Sequence, residues 1–209
     1  MIKDLFKKKI FSLEGVDKGH HNTTYRGIPC IKCPFDYVNY QMMISEIMPD
    51  LIIEIGTNFG GSALYMADLL DTLGKGMVHS IDIQDKVSDI VRNHKRIQLF
   101  KDGWEGYDLE NASFANKILV IEDGSHMYES TLGSMNKFKH IVSVGSYMII
   151  EDGILDALGI SNKFFNGGPL KAIREFLSEN DNYIVDKRWE DMYGASATFN
   201  TSGYLKRVG

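Results

Sequence analysis

Three carboxylates stand where two apolar runs end. Asp123 follows Ile118-Leu119-Val120-Ile121, and Glu151-Asp152 follow Tyr147-Met148-Ile149-Ile150. If those runs are neighbouring strands, the acids meet at one edge, where crowded carboxylates repel and hold protons. A hard divalent cation relieves that repulsion, and an all-oxygen set suits Mg²⁺, Mn²⁺ or Ca²⁺ better than zinc. Asp123, Glu151 and Asp152 are therefore the expected metal ligands, with Mg²⁺ the expected ion. The plain alternative is that Glu151 and Asp152 cap a loop or pair with a lysine. His126 lies one turn beyond Asp123. An imidazole beside a metal can take a proton from a substrate hydroxyl at neutral pH, which makes His126 and Asp123 the expected catalytic residues. Otherwise His126 is a helix-start histidine bonded to backbone.

The second chemical feature is Leu51-Ile-Ile-Glu-Ile-Gly-Thr-Asn-Phe-Gly-Gly-Ser62. The apolar residues read as a buried parallel strand, since neither face alternates to polar. A strand, a glycine turn and a helix N-terminus form a nucleotide-type cradle, in which glycine lets backbone approach a ligand and the first helical N–H groups attract negative charge. The spacing is G-x-x-x-G-G, not the dinucleotide G-x-G-x-x-G. With an acid two residues before the first glycine, it points to S-adenosylmethionine. Glu54 is expected at the amine, directly or through water, and Gly56 is expected to clear room for the ligand. Thr57, Asn58, Gly60 and Ser62 complete the expected cradle. An ordinary tight βα turn is the competing reading.

These residues need a frame. Pro34 opens a helix over Phe35–Met48 that Pro49 stops. A second helix runs from about Ser62 to Leu73 and is closed by Gly74 and Gly76. Met77–Ile81 is the next strand, and Asp82 at its end is placed as acids that meet ribose hydroxyls in βαβ folds are. A short helix is expected over Lys86–Val91 and a strand over Ile97–Phe100. Asp102-Gly103-Trp104 then falls where an adenine can stack, although a plain turn reads as well. The strands Ile118–Ile121 and Tyr147–Ile150 follow, with a helix between them to about Phe138. Gly168–Glu179 is helical, and Tyr183–Asp186 and Ser196–Asn200 have the pattern of late strands. Every unusual polar residue falls beyond a strand's carboxyl end, where ligands bind in open α/β sheets. The fold class is α/β, doubly wound, in one domain over 34–209. Residues 1–33 form an arm or lid, loop-like up to about Cys33, with Met1–Ser12 docking on the body or a sister subunit and His20 and His21 solvated.

The chain has 209 residues, 44% of them hydrophobic and 24% charged, which suits one soluble core. A net charge of −5 recommends no nucleic-acid partner. No apolar run reaches a membrane span, and no signal-peptide pattern opens the chain, so the expected compartment is the cytoplasm. The two cysteines, Cys30 and Cys33, form C-x-x-C. A zinc ribbon needs a second pair, which leaves a thioredoxin-like redox site as a minor alternative.

The segments Tyr25-Arg-Gly-Ile-Pro-Cys-Ile-Lys-Cys-Pro-Phe-Asp36, Tyr40-Gln41, the glycine loop, Val120–Glu129, Ser146–Asp152, Gly168–Leu177 and Gly203–Val208 resemble the cephalosporin hydroxylase/rhamnosyl O-methyltransferase family. The resemblance covers nearly the whole chain after Tyr25. It implies the class I methyltransferase fold, a Rossmann-like, mostly parallel seven-stranded sandwich. It also implies S-adenosylmethionine as cofactor and Mg²⁺ on acids matching Asp123, Glu151 and Asp152. Related sugar methyltransferases carry D-G-D, the second aspartate acting as base; this chain has Asp123-Gly-Ser-His126, and the base role is transferred to His126. The expected activity is O-methylation of a sugar or glycosylated small molecule by a homo-oligomer. An NAD-dependent oxidoreductase and a noncatalytic partner subunit of a hydroxylase system are the alternatives.

Overall fold

The computed structural model describes residues 12–209; the docking segment expected at Met1–Ser12 lies outside them but for Ser12. The first described elements are helix α1 (Leu13–His20) and a small hairpin, β1 (Thr24–Tyr25) and β2 (Ile28–Pro29). This corrects the expectation of a loop-like arm. Ser12 caps α1 by accepting from the Gly15 N–H, and Val16 packs with Cys33, Ile154 and Phe199 on the body. His21 is exposed, but the His20 side chain is only 11% exposed and rests edge-on against Phe199, contrary to the expectation that both are solvated.

The body continues with α2 (Pro34–Ile47), β3 (Leu51–Ile55), α3 (Gly61–Leu73), β4 (Met77–Ile81), α4 (Asp89–Arg92), β5 (Ile97–Phe100) and α5 (Gly103–Gly106). Then come β6 (Ile118–Glu122), α6 (Tyr128–Phe138), β7 (Tyr147–Ile150), α7 (Ser161–Phe164), α8 (Gly168–Glu179), β8 (Tyr183–Val185), α9 (Lys187–Asp191) and β9 (Tyr204–Arg207). Proline starts α2, and its carboxyl end turns left-handed at Met48, just before Pro49. The short helix expected at Lys86 begins only after Ser88.

The seven-stranded sheet has the order β5-β4-β3-β6-β7-β9-β8, parallel except for β9, which is antiparallel to both its neighbours. All five residues of β3 are buried, as are those of β6, because helices cover both faces. On one face Tyr40, Met43 and Ile44 of α2 and Leu64, Ala67 and Leu70 of α3 pack against Ile52, Val78 and Leu119. On the other, Met135 and Phe138 of α6 and Ile173 and Phe176 of α8 pack against Ile53, Val120 and Met148.

Ser196–Asn200 is not a strand; the last strand is Tyr204–Arg207. The segment imitates one because it is buried, but side chains satisfy its backbone. Phe199 N–H donates to Asp36 Oδ2 at 3.1 Å and Asn200 N–H to Thr198 Oγ1 at 3.0 Å.

The order in which strands are added reverses between β3 and β6: the chain runs outward from β3 to β5 and then returns to lay β6 and β7 on the other side, the switch point at which open α/β sheets bind ligands. The parallel register continues one residue past the strands: Gly56 N–H donates to Ile81 O, Asp123 N–H to Ile55 O and Glu151 N–H to Glu122 O, at 2.8, 2.8 and 2.9 Å. Gly56 has φ +101°, and a Cβ there would lie 1.9 Å from the Asp123 carbonyl oxygen. Gly74 is also left-handed, at φ +76°, with nothing within 4 Å of an added Cβ. Gly74→Ala should therefore cost only the backbone strain, about 1–2 kcal/mol, whereas Gly56→Ala must also move β6 or β3. Urea denaturation of the two variants checks this, and equal losses would show that the close approach is not a constraint.

Candidate active site

The carboxyl ends of β3, β4, β6 and β7 open into a cleft of about 570 Å³. One side is built by Asn58, Asp82, Ile83, Gln84, Gly103 and Trp104, and the other by His20, Lys32, Asp36 and Phe199. Asp123, His126, Glu151 and Asp152 lie between them.

Asp82 binds the two loops on its side together: Oδ2 accepts from Asn58 N–H at 2.8 Å and Oδ1 from Gln84 N–H at 2.9 Å. Trp104 is held by its Nε1, which donates to Ser130 Oγ at 3.1 Å, and by Gly133, where a Cβ would lie 2.6 Å from the ring. Asn58, Asp82, Gly103 and Trp104 thus share one wall.

The remaining cradle residues are used differently from the expectation. Glu54 is fully buried and off the cleft wall; its carboxylate accepts from the Ser62 hydroxyl and from Ser80 Oγ at 2.6 Å. The reading of Glu54 at a ligand amine is corrected to that of a clamp between β3, α3 and β4. Thr57 Oγ1 lies 2.8 Å from Ser80 Oγ, inside the same clamp. Gly60 is pressed against Val91, where a Cβ would fall 2.6 Å from Cγ1, and so serves packing. Gly56 lines the cleft, but the room its missing side chain makes is filled by Asp123 backbone. Asp102 is off the wall, against Gly106.

At the acid cluster the structure brings together Asp123, His126 and Asp152, with one ligand atom from each within 4.8 Å of the others. His126 Nε2 is 3.2 Å from Asp152 Oδ2. Both residues of this pair have left-handed backbone, φ +58° and +57°, a strain that side-chain pairing must hold. Glu151 faces elsewhere: its Oε1 accepts from Tyr40 OH at 2.6 Å and from Lys32 Nζ. Lys32 Nζ also donates to Asp123 Oδ2 at 2.9 Å. Here the alternative of a lysine pair applies to Glu151, and the triple carboxylate set is split.

Burial raises the Asp123, Glu151 and Asp152 carboxyls above their usual range; Lys32 and His126 oppose the rise, and the carboxylates' mutual repulsion adds to it. Burial pulls Lys32 down, but Asp123, Glu151 and Glu54 outweigh it and hold the amine well above the ordinary value. Burial likewise lowers His126, and Asp152, Asp123, Glu122 and Glu151 together turn the net shift upward. Glu122, whose oxygens make no full hydrogen bond, is pushed up to about 7 by burial. A set of crowded, desolvated oxygens fits a hard divalent cation.

Sequence reasoning missed Lys32, Tyr40, Asp36, Glu122 and His20. Lys32 carried a signal, as a lysine inside the C-x-x-C, between Ile31 and Cys33, in a segment already singled out. The redox alternative for those cysteines fails, because both thiols are buried and pushed up to about 12, far from a reactive thiolate.

Buried acids make stability depend on pH. Glu54 is raised to about 7, chiefly by burial. The folded chain then keeps a proton that the unfolded chain releases near pH 4.5, so this contribution falls as pH rises through about 7. Between pH 5 and 8, wild type should lose on the order of 1–3 kcal/mol relative to Glu54→Gln. Parallel pH dependences in denaturant titrations would contradict the shift.

Residues 17–208 match the sequence family described as rhamnosyl O-methyltransferase/CmcI. The rhamnosyl O-methyltransferase of Mycobacterium leprae is 31% identical over 196 residues, covering 90% of this chain and 84% of that protein. That of Mycobacterium bovis is 31% identical over 194 residues, covering 88% and 78%. Among solved structures, CmcI in a Mg-SAM form aligns with TM-score 0.67 at 24% identity over 90% of this chain and 78% of that one. CmcI with SAH aligns with TM-score 0.70 at 22% identity, covering 90% and 83%. The O-methyltransferase NovP aligns with TM-score 0.58 at 18% identity, covering 83% and 79%. The structural likenesses establish the class I methyltransferase fold, and with the sequence match the chain belongs to the rhamnosyl O-methyltransferase/CmcI family.

Proposed function

We propose that this chain is an S-adenosylmethionine-dependent O-methyltransferase that acts on a hydroxyl of a sugar or glycosylated small molecule, assisted by Mg²⁺. One observation carries the reading: a cleft at the sheet's switch point has Asp82 and Trp104 on one wall and a half-buried carboxylate–imidazole cluster beside it. The relatives' rhamnosyl acceptor and the Mg-SAM form of CmcI support it. When bound, S-adenosylmethionine supplies a methyl group on a sulfonium, and the cation supplies positive charge that polarises a hydroxyl.

In this reading Asp82 orients the cofactor's ribose, Trp104 packs its adenine, and Gly56 and Asn58 of the turn lie along its methionine part. Asp123, Glu151 and Asp152 hold the cation. His126 Nε2, turned toward Asp152, takes the acceptor's proton as the methyl group arrives. Asp123, His126 and Asp152 are each partly exposed to the cleft, so an acceptor hydroxyl can reach them. The arm over residues 12–33 brings His20 and Lys32 onto the acceptor side and serves as its lid. Reduced, buried cysteines suit the cytoplasm, and among the described residues no helix is long and apolar enough to cross a membrane. Exposed Val38 and Met42 on one face of α2 support a homo-oligomer, which light scattering tests.

His126→Ala should lower kcat by about 10²–10⁴-fold, leave cofactor affinity near normal and flatten the acid limb of the pH–rate profile. Steady-state kinetics on a rhamnoside acceptor check this, and a loss below tenfold would return His126 to a structural role.

A further inference from the structure

Lys32 is placed where a cation is wanted. It is 3% exposed, and its ammonium donates to Asp123 Oδ2 at 2.9 Å and to Glu151 Oε1 while lying 5.4 Å from the centre of the Tyr40 ring. The backbone on both sides is anchored. Cys30 is pressed against Gly61, where a Cβ would come within 2.6 Å of Cys30 Cβ, and Cys33 Sγ donates to Ala197 O at 3.1 Å. Between these anchors only the flexible four-carbon stem can move the charge.

The charges around Lys32 do not balance. Its ammonium reaches Asp123 and Glu151 at once, and Asp152 lies in the same cluster as Asp123, so one ammonium faces three acids. One ammonium therefore holds the acids together without neutralising them, and the cluster still attracts positive charge. An ammonium and a divalent cation that draw on the same oxygens repel each other strongly in a desolvated cleft.

We propose that Lys32 is an internal counter-cation that competes with the divalent metal for Asp123 and Glu151, and that metal loading moves its ammonium off Glu151. This rests on Asp123, Glu151 and Asp152 holding the metal, as in the function proposed above. The competition also resolves the split geometry. With Lys32 withdrawn, Glu151 is released to the metal.

The test is Mn²⁺ binding to the full chain, measured by calorimetry, with each variant's thermal melt as the control for folding. Lys32→Met keeps the stem and removes the charge; it should bind Mn²⁺ at least tenfold more tightly than wild type. Lys32→Arg keeps the charge and should show no such gain. Unchanged or weaker Mn²⁺ affinity in a folded Lys32→Met would overturn the competition. A second measurement needs no variant: in wild type, Lys32 should resist reductive methylation alone and become modified at saturating Mn²⁺, as read by mass spectrometry. Equal protection in both conditions would also overturn the proposal. If neither wild type nor Lys32→Met binds Mn²⁺, the metal assignment itself fails, an outcome distinct from a failure of the competition.

Discussion

The backbone of Gly56 lies so close to that of Asp123 that no side chain fits between them, and the rest of the site depends on this contact. It occurs where β3 is flanked on both sides by parallel partners, and with the parallel β6–β7 pair this aligns four strand ends. Asp82, Gly56, Asp123 and Glu151 each follow a strand and are bonded across to the next. The row of functional residues is therefore a property of the sheet, and the loops beyond add detail to a line already drawn. Glu54 and Ser80 reinforce it from beneath, since a buried carboxylate shared by Ser62 and Ser80 ties the first turn of α3 to β4.

Electrostatics set what this row can do. The fold collects carboxylates faster than it collects cations, and burial makes every uncompensated charge costly. The cluster therefore depends on what it binds. Lys32, arriving from outside the sheet, supplies part of the missing charge, and His126 lies against Asp152 beside it. The left-handed backbone at His126 and Asp152 places this pair at a conformational cost repaid only when both side chains engage.

Much of the frame was legible in the sequence because it obeys short-range rules. Buried runs such as Leu51–Ile55 and Ile118–Ile121 show the double-sided burial of parallel strands, and proline and glycine mark the limits of α2 and α3. Asp123, His126 and Asp152 were found because they follow such runs. What was not legible arises from long-range pairing. Nothing local distinguishes Glu54 as a clamp from Glu54 as a ligand contact, because Ser80, which takes up its carboxylate, is 26 residues away. Asp36 meets Thr198 and Phe199 from across the chain, which is why Ser196–Asn200 imitates a strand. Glycines also mislead, because one required by packing at Gly60 reads the same as one required by a ligand.

The central claim is that the wall formed by Asn58, Asp82 and Trp104 binds S-adenosylmethionine and not a nicotinamide dinucleotide. Calorimetric titration of the full chain with S-adenosylhomocysteine and with NAD, on wild type and Asp82→Ala, tests it most directly. The account predicts that wild type binds S-adenosylhomocysteine and not NAD. Asp82→Ala should weaken binding by at least tenfold, in line with about 1.5–3 kcal/mol for a lost hydrogen bond to a charged group. NAD binding in preference to S-adenosylhomocysteine, or an affinity indifferent to Asp82, would contradict it.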